Sequence, residues 1–549
     1  MTGAPPDEIA RGGQPSAAVP PGATGETARW QRLSPRSLVV RPLTDLARLL
    51  PVLAGLVILH SRTGSGLIWG IGASVIAVLT GVVHWATTRY RITDERVYVR
   101  RGLLNQKILS VARDRIRTVD VSAHLLHRVL GVCRVSIGTG RNDYRPGESF
   151  RLDGLTRLAA EALRDLLLAG LSATPGAAAG IMAAPRADVA GSGQLPDRAA
   201  EPGAAPPPGP AAGIEIARLR ASWVKFAPLT LTGLVVLGVL FGSVWQFSNA
   251  TEVDLATTGP IRVIFADFAA LPLAQRVLAL AITALVGYVL VATAGYIAVF
   301  WNFRLARQGA DTLAVTRGLL STRATTISLG RLRGVEISEP LLLRAARGAR
   351  CIAITTGLHV GRGAEREGSV LLPPAPRAVA RDVAAEVLGV PAALCSGGLN
   401  RHGAAARGRR YRRALGGTAL ADLGIALADW LGRGPAWIWI GSLCLLPLAA
   451  ALAADRYASL GHRLADGWLV TRVGSLARRR SIIGTEAIIG WRIHQSWFQR
   501  RQGLVTLTAT TAAGRQHYAV QDVPVAQALA VAAAATGDLI RPFLIAGQD

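Results

Sequence analysis

The sequence predicts a multi-pass α-helical membrane protein that carries three small β-rich domains. Three observations predict this fold class. One pattern returns three times along the chain, each copy follows a pair of long apolar segments, and each copy contains short runs that alternate apolar and polar residues. Such a repeat indicates one structural unit copied in tandem. Half of the 549 residues are hydrophobic and 17% are charged, a balance that favours a membrane protein.

The three copies align on a glycine that follows a short segment of valine and arginine. These glycines are Gly102, Gly318 and Gly474. The first two copies share two later arginine positions, occupied by Arg115 and Arg331 and by Arg117 and Arg333. The third copy lacks both arginines and keeps only the apolar positions. One arginine coincides in all three copies, as Arg128, Arg344 and Arg500.

Each copy reads as a set of strands closed by one helix. Alternating runs such as Arg96 to Arg100, Lys107 to Val111 and Val132 to Ile137 are typical of half-buried strands. A helical pattern ends each copy, at Leu155 to Leu171, Arg377 to Leu388 and Val525 to about Ile540. Strands followed by one amphipathic helix predict a small barrel or sandwich with a C-terminal helix as its cap.

These motifs resemble those of a known family. Two membrane helices followed by a unit with a Val-x-Arg-Gly-Leu turn and an Arg-Ile/Leu-Arg-x-Val strand are similar to the bacterial pleckstrin-homology-like membrane proteins of the YdbS and YdbT type. The resemblance covers about Leu43 to Leu544, and three units with three helix pairs resemble YdbT-like members. It implies one pleckstrin-homology-like domain per unit, and it does not imply phosphoinositide binding.

The resemblance also implies a function. We expect a non-catalytic membrane scaffold or interaction platform with a place in envelope homeostasis or in tolerance of membrane-active peptides. The partners that it implies are the lipid bilayer and a smaller single-unit relative with the same kind of domain.

Membrane spans of about 20 apolar residues are expected in three hairpins. The six segments are Leu43 to Leu59, Gly66 to Ala86, Phe226 to Phe247, Val277 to Trp301, Ala414 to Leu431 and Pro435 to Ala454. Arginine and lysine flank the outer ends of each hairpin, and such residues stay on the cytoplasmic side. These flanking residues therefore predict that both termini and all three units lie in the cytoplasm, and the resemblance implies that the membrane is the bacterial inner membrane.

The predicted organisation has nine parts. They are a disordered tail (1–42), hairpin 1 (43–86), unit 1 (87–171), a Pro/Ala/Gly linker (172–213), hairpin 2 (214–301), unit 2 (302–395), a basic linker (396–413), hairpin 3 (414–454) and unit 3 (455–549).

The net charge of +26 comes almost wholly from arginine. Arginines at repeat-equivalent positions are candidate contacts for anionic lipid headgroups, namely Arg101, Arg115, Arg117, Arg317, Arg331 and Arg333. A solvated strand face would use the same residues. Nucleic-acid binding is not predicted, because the cytoplasmic bias of positive residues already accounts for much of the charge.

Asp422 and Asp429 lie within a predicted span and on nearly the same helix face. Because a carboxylate inside lipid is costly, such residues suggest an intramembrane polar site for ions or protons. A role in helix packing or at the interface stays open. This pair supports the alternative function, a transporter or a lipid-handling membrane protein.

The chain is not predicted to be an enzyme. Its two lysines, Lys107 and Lys225, do not follow glycine, so no phosphate-binding P-loop of the Gly-Lys-Ser/Thr kind exists. His124 and His127 stand three residues apart, but two histidines alone do not make up a metal site, so neither a metal nor a cofactor is expected.

Overall fold

The computed structural model of the protein describes residues 30–38, 85–138 with gaps at 94, 102–105, 114–115 and 117, then 150–172, 213–230, 270–356, 369–432 and 436–537, with a few isolated positions between. Three units of one design follow each other in these ranges. In the described residues, each has a first group of three or four antiparallel strands, a second group of three and a closing helix.

In its described residues, unit 1 has seven strands and two helices. They are β1 (Gln31–Arg32), β2 (Arg89–Ile92), β3 (Arg96–Arg101), β4 (Lys107–Ala112), β5 (Thr118–His124), α1 (Leu125–Val129), β6 (Val132–Gly138), β7 (Phe150–Thr156) and α2 (Arg157–Ser172). Val97 and Val99 on β3 and Val135 on β6 are fully buried. Alternate burial of this kind is expected of strands with one face on the core.

Unit 2 contains a 3₁₀ helix (Ala221–Leu229) and a long apolar helix besides its strands. The elements are β8 (Ile214–Arg218), α3 (Leu273–Phe300), β9 (Arg304–Gln308), β10 (Thr312–Arg317), β11 (Ser321–Ser328), β12 (Leu332–Pro340), α4 (Leu341–Ala345), β13 (Gly348–Thr355), β14 (Val370–Pro376), α5 (Arg377–Leu388) and α6 (Ala392–Ser396). Helix α5 buries Ala380, Val383, Ala384 and Val387, the three-and-four spacing that places residues on one helix face. It covers the core of the unit.

The strands of unit 3 follow three helices, the first of which is long. The elements of the unit are α7 (Gly403–Trp430), α8 (Ala436–Ser442), α9 (Leu445–Ala458), β15 (Gly461–Ala465), β16 (Trp468–Val473), β17 (Ala477–Gly484), β18 (Ile488–His494), α10 (Trp497–Arg500), β19 (Leu504–Thr511), β20 (His517–Pro524) and α11 (Val525–Thr536). Ser496 begins α10 through a reciprocal capping box with Gln499.

The sheets of neighbouring units are continuous. Strands β7-β6-β5 of unit 1 join β11-β10-β9-β8 of unit 2 in one seven-stranded sheet. Strands β14-β13-β12 of unit 2 join β17-β16-β15 of unit 3 in a six-stranded sheet. The remaining sheets are β1-β2-β3-β4 at one end and β18-β19-β20 at the other. The three units therefore form a row held by backbone hydrogen bonds.

The prediction of six membrane spans is wrong. In the described part of the chain, two helical segments are long and apolar enough to cross a membrane, Leu273–Phe300, which is α3, and Trp437–Ala458, which comprises α8 and α9. They correspond to the predicted spans Val277 to Trp301 and Pro435 to Ala454. The predicted spans Leu43 to Leu59 and Gly66 to Ala86 lie largely outside the described residues, as does most of Phe226 to Phe247.

For two of the predicted spans, the structure gives the physical reason why the prediction is wrong. The start of Phe226 to Phe247 belongs to the 3₁₀ helix, and Phe226 and Ala227 are buried in the core of unit 2. The segment Ala414 to Leu431 is the second half of α7, which begins at Gly403, includes the arginine run and carries Asp422 and Asp429. Its polar residues make this helix too hydrophilic to qualify as a span.

Some unit boundaries also differ from those expected. The structure places β1 with unit 1, where the sequence suggested a tail, and it places β8 with unit 2, where the sequence suggested a hairpin. Most of the predicted basic linker 396–413 is helical from Gly403 onward. The linker 172–213 lies almost wholly outside the described residues.

Candidate functional site: the seams between the units

Two seams join the three units. The first seam is the antiparallel pairing of β5 with β11, from Ser321 opposite His124 to Ile327 opposite Thr118. The second seam is the pairing of β12 with β17, from Gly334 opposite Ile483 to Pro340 opposite Ala477. β5 and β12 are repeat-equivalent, and so are β11 and β17. The chain thus makes the same contact twice.

A carboxylate lies at the same place in each seam. In the first seam, Arg323 donates to Asp120 through Nε at 2.8 Å and Nη2 at 2.6 Å, and Thr325 Oγ1 donates to Asp120 Oδ1 at 3.1 Å. Both Arg323 donors go to Asp120 Oδ2, and such charge-assisted hydrogen bonds are stronger than neutral ones. They join β11 to β5 in the observed register.

The second seam repeats this pair with a larger acid. Glu336 replaces Asp120 and lies 3.6 Å from Arg479 Nε and 3.4 Å from Arg515 Nη2. The side chain of Glu336 is only 5% exposed, so its charge depends on these arginines for compensation. Arg479 stands at the same distance after Gly474 as Arg323 does after Gly318.

The arginine shared by all three copies spans each seam. Arg128 Nη1 donates to the carbonyl oxygen of Leu319 at 2.6 Å, and Arg344 Nη1 donates to that of Ser475 at 3.3 Å. Leu319 and Ser475 directly follow Gly318 and Gly474. Both glycines have positive φ, and a Cβ there would meet a backbone oxygen at 1.9 or 2.1 Å. Only glycine fits this turn.

The end of α9 contacts both units of the second seam. Asp455 lies 2.9 Å from Arg344 of unit 2 and 3.2 Å from Arg478 of unit 3. Ser475 Oγ donates to its Oδ2 at 2.7 Å. The apolar helix is therefore fixed to the seam.

The start of α7 is fixed to unit 3 in a similar way. Asp522, which is 1% exposed, pairs with Arg409 and lies 2.7 Å from Arg410 Nη2. Next to this pair, His402 Nε2 and His462 Nδ1 lie 2.9 Å apart. Burial, and secondly His402, lower the pKa of His462 to about 4, and burial also lowers the pKa of His402. Both rings are neutral at pH 7.

Helix α3 ends against unit 2. Tyr296 donates its hydroxyl to the carbonyl oxygen of Pro374 at 2.9 Å, and the amide of Gly318 donates to the carbonyl oxygen of Trp301 at 2.8 Å. The guanidinium of Arg317 lies 5.2 Å from the centre of the Phe300 ring. These contacts hold the helix end against the turn that forms the first seam.

The candidate lipid-binding arginines whose side chains are described contact other parts of the protein, in or next to the seams. Arg331 donates to the carbonyl oxygen of Ile116 in unit 1, and Arg333 Nη1 donates to Glu486 of unit 3 at 2.9 Å. Arg317 is buried against Phe300. Arg115 and Arg117 lie outside the described residues, and of Arg101 only the backbone is described. Headgroup contact by this set stays a prediction.

Asp422 and Asp429 both lie on α7. Asp422 is 7% exposed, and neither of its oxygens has a hydrogen-bond partner among the described residues. Asp429 is half-buried near the end of the helix. An intramembrane polar role for the pair stays a prediction as well.

The seam acids were not singled out from the sequence. The signal was present in the repeat, because the alignment that pairs Gly102 with Gly318 also pairs Asp120 with Glu336. A shared acid on one copy and a shared arginine on the next suggest contact between copies. Asp455 and Asp522 give no comparable signal, because neither acid recurs at the equivalent position of another copy.

The described cavity at the second seam offers little room for a small molecule. The cavity lined by Glu336, Arg350 and Tyr518 at the second seam has a volume of about 10 Å³, which is space for about one water. Within the described ranges, no cluster of three or more His, Cys, Asp or Glu side chains could hold a metal ion.

Comparison with known proteins agrees with the repeat. A family model for the bacterial PH domain matches residues 44–171, 260–390 and 418–536. The chain belongs to the bacterial PH domain family. Each match includes one of the three units, so the seams are contacts between successive bacterial PH domains. No curated protein and no solved structure gave a match.

Proposed function

We propose that the chain is a non-catalytic scaffold anchored in the bacterial inner membrane, with its PH domains held as one rigid row in the cytoplasm. The observation that carries this proposal is the pair of seams. Independent modules on flexible linkers would not need a shared backbone ladder or a repeated ion pair. A fixed row instead presents its surfaces at constant spacing.

The two apolar helices support the membrane anchor. The most apolar window of Leu273–Phe300 has a mean hydropathy of 2.4, and 6% of that window is buried. The core helix of a water-soluble domain would be mostly covered by protein. A helix that is apolar and uncovered is suited to lipid.

The arginines near the helix ends support a cytoplasmic row. Arg304 and Arg307 follow α3, and α7 begins with the run from Arg407 to Arg413. Single cysteines at the exposed positions Arg347 and Gln516 test this orientation, in a chain with Cys444 changed to Ser. The proposal expects a membrane-impermeant maleimide to label them only after the inner membrane is opened. Labelling of intact spheroplasts would contradict it.

The role that we propose is tolerance of membrane-active peptides. The partners are anionic headgroups beside the helix ends and a smaller single-unit relative. The test is deletion of the chain, followed by challenge with a cationic membrane-active peptide. Wild type should restore tolerance, and a chain with Glu336→Lys should not, because this change places like charges in the second seam. Tolerance that is unchanged by deletion would contradict the role.

Asp422 favours a second candidate, a transporter or lipid-handling protein. A buried carboxylate without a described partner is suited to bind and release a proton or cation. The change Asp422→Asn separates the two. The scaffold proposal expects this variant to restore tolerance fully, whereas the transporter proposal expects it to fail.

A further inference from the structure

The third unit has a strand edge that the first two units use for their seams. β18 is the repeat equivalent of β5 and β12, and in the described part of the chain it pairs only with β19. The exposure of this strand reflects the open side. Ile493 is 46% exposed, whereas Ile337, at the same position of β12, is 1% exposed. Ile489 on the same strand is 66% exposed.

The other parts of a seam are also present at this edge. Arg500 is the counterpart of Arg128 and Arg344, which donate to the turn of the following unit. In unit 3 it is exposed on α10. Beside it, Trp497 and Phe498 are exposed by 60% and 65%. An arginine, an apolar patch and a strand that has one edge open among the described residues together form a surface that suits an added β-strand.

The charge at this edge is the reverse of that in the seams. Arg492 stands where the first two units have Asp120 and Glu336, and its side chain is exposed. In the seams, Asp120 pairs with Arg323 and Glu336 pairs with Arg479, each arginine coming from the neighbouring strand. A strand that fits β18 therefore needs a carboxylate at the Arg323 position.

A second copy of this chain does not meet that requirement. The strand of a second copy that is equivalent to β11 and β17 and has an open edge is β4. Among the described strands, β4 pairs with β3 alone. The residue of β4 at the Arg323 position is Lys107. A head-to-tail contact between copies would place Lys107 near Arg492, and like charges oppose such pairing.

We propose that the β18 edge binds a β-hairpin of a different polypeptide. The hairpin strand that pairs with β18 carries an acidic side chain facing Arg492. The inference rests on the scaffold function and names the class of partner that the scaffold receives. Backbone hydrogen bonds to β18 supply the affinity, Arg500 holds the incoming turn, and Arg492 selects for the acid.

Two cyclised peptides test the proposal on the full chain in nanodiscs. Both contain residues 312–328, the hairpin that fills the first seam, and one carries R323E. Cyclisation forms the hairpin in advance, which lowers the cost of binding. The wild-type chain should bind the R323E peptide at least about tenfold more tightly than the unchanged peptide, as measured by fluorescence anisotropy.

Variants of the chain make the test specific. Arg492→Glu should invert the preference, and Arg500→Ala should weaken binding of the R323E peptide. The matched control is Arg218→Glu, an exposed arginine on the edge strand β8, which should leave the preference unchanged. Equal binding of the two peptides, a preference that survives Arg492→Glu, or wild-type chains that crosslink to each other through β18 would overturn the proposal.

The outcome is separate from that of the scaffold function. If the peptides fail these criteria while Glu336→Lys still abolishes tolerance, the inference falls and the scaffold stands. If the peptides behave as expected while Glu336→Lys keeps tolerance, the scaffold role falls.

Discussion

Buried ion pairs fix the positions of helices and units at the scale of single residues. Asp522 is nearly inaccessible and faces two arginines, while Asp120 and Glu336 face one or more across the seams. A buried pair adds little net stability compared with apolar packing, but the loss of one partner leaves a charge uncompensated. We therefore expect these residues to act mainly on the specificity of assembly.

Asp522→Asn should weaken the contact between α7 and unit 3 by about 3 kcal/mol, because Arg409 and Arg410 lose their counter-charge. Asn suits the positive φ of 54° at this position, so the backbone is not the cause. Hydrogen exchange of the β20 amides measures the effect. The control is Asp466→Asn, at an exposed position with φ of 51°, which should change little. Equal protection in both variants would contradict the account.

Acid should loosen the same region. His402 and His462 are held neutral in the folded chain, whereas unfolded histidine takes up a proton near pH 6.5. The folded pKa of His462 is depressed, so stability is complete above about pH 6.5 and falls as the pH drops towards 4. The loss from His462 is at most about 3 kcal/mol.

An unfolding series from pH 7 to pH 4 checks this prediction, with the fluorescence of unit 3 tryptophans as the signal. His462→Gln should flatten the profile, since the glutamine has no proton to gain. A wild-type profile that is flat between pH 6.5 and pH 4 would show that the pair does not control acid stability.

At the scale of elements, the seam strands determine how the units combine. β5 and β12 each have a strand on both sides, one from their own unit and one from the next. The backbone hydrogen bonds between the seam strands hold the units together whatever the side chains are. The Arg–carboxylate pair then selects the register. Shifting β11 by one residue would separate Arg323 from Asp120.

A charge swap tests the first seam. Asp120→Arg should expose the β11 amides to exchange, because it places like charges together, and the double variant Asp120→Arg with Arg323→Asp should regain protection. The exposed pair of Arg157 and Glu161 provides the control, since reversing Arg157 there should have no effect on β11. If the double variant is no better protected than the single one, the pair does not set the register.

The strands and closing helices could be predicted from the sequence, because alternation and helical spacing are local signals. The pairing of units could not, since β5 and β11 are far apart in sequence and nothing local says which strand completes which sheet. The repeat did mark Gly318 and Gly474, whose turns lie at the seams. The prediction of lipid contact for Arg331 and Arg333 did not foresee their protein partners.

At the scale of the whole molecule, apolar composition misled the count of spans. The segment at Phe226 is as apolar as a membrane helix, yet it begins as the core of unit 2. The segment at Ala414 is helical, yet it carries Asp422 and Asp429 and continues α7, whose first half is held against unit 3 by the pairing of Arg409 and Arg410 with Asp522. Apolar runs show that a segment is buried, but they do not show whether lipid or protein covers it.

The distance between unit 1 and unit 3 is the most direct test of the central claim, that the PH domains form one rigid row. Spin labels at Leu158 and His517, both exposed, report it by pulsed electron resonance on the full chain in nanodiscs, with Cys444 changed to Ser. The account predicts one narrow distance distribution, which Glu336→Lys broadens. A broad distribution in the wild-type chain, equal to that of the variant, would contradict it.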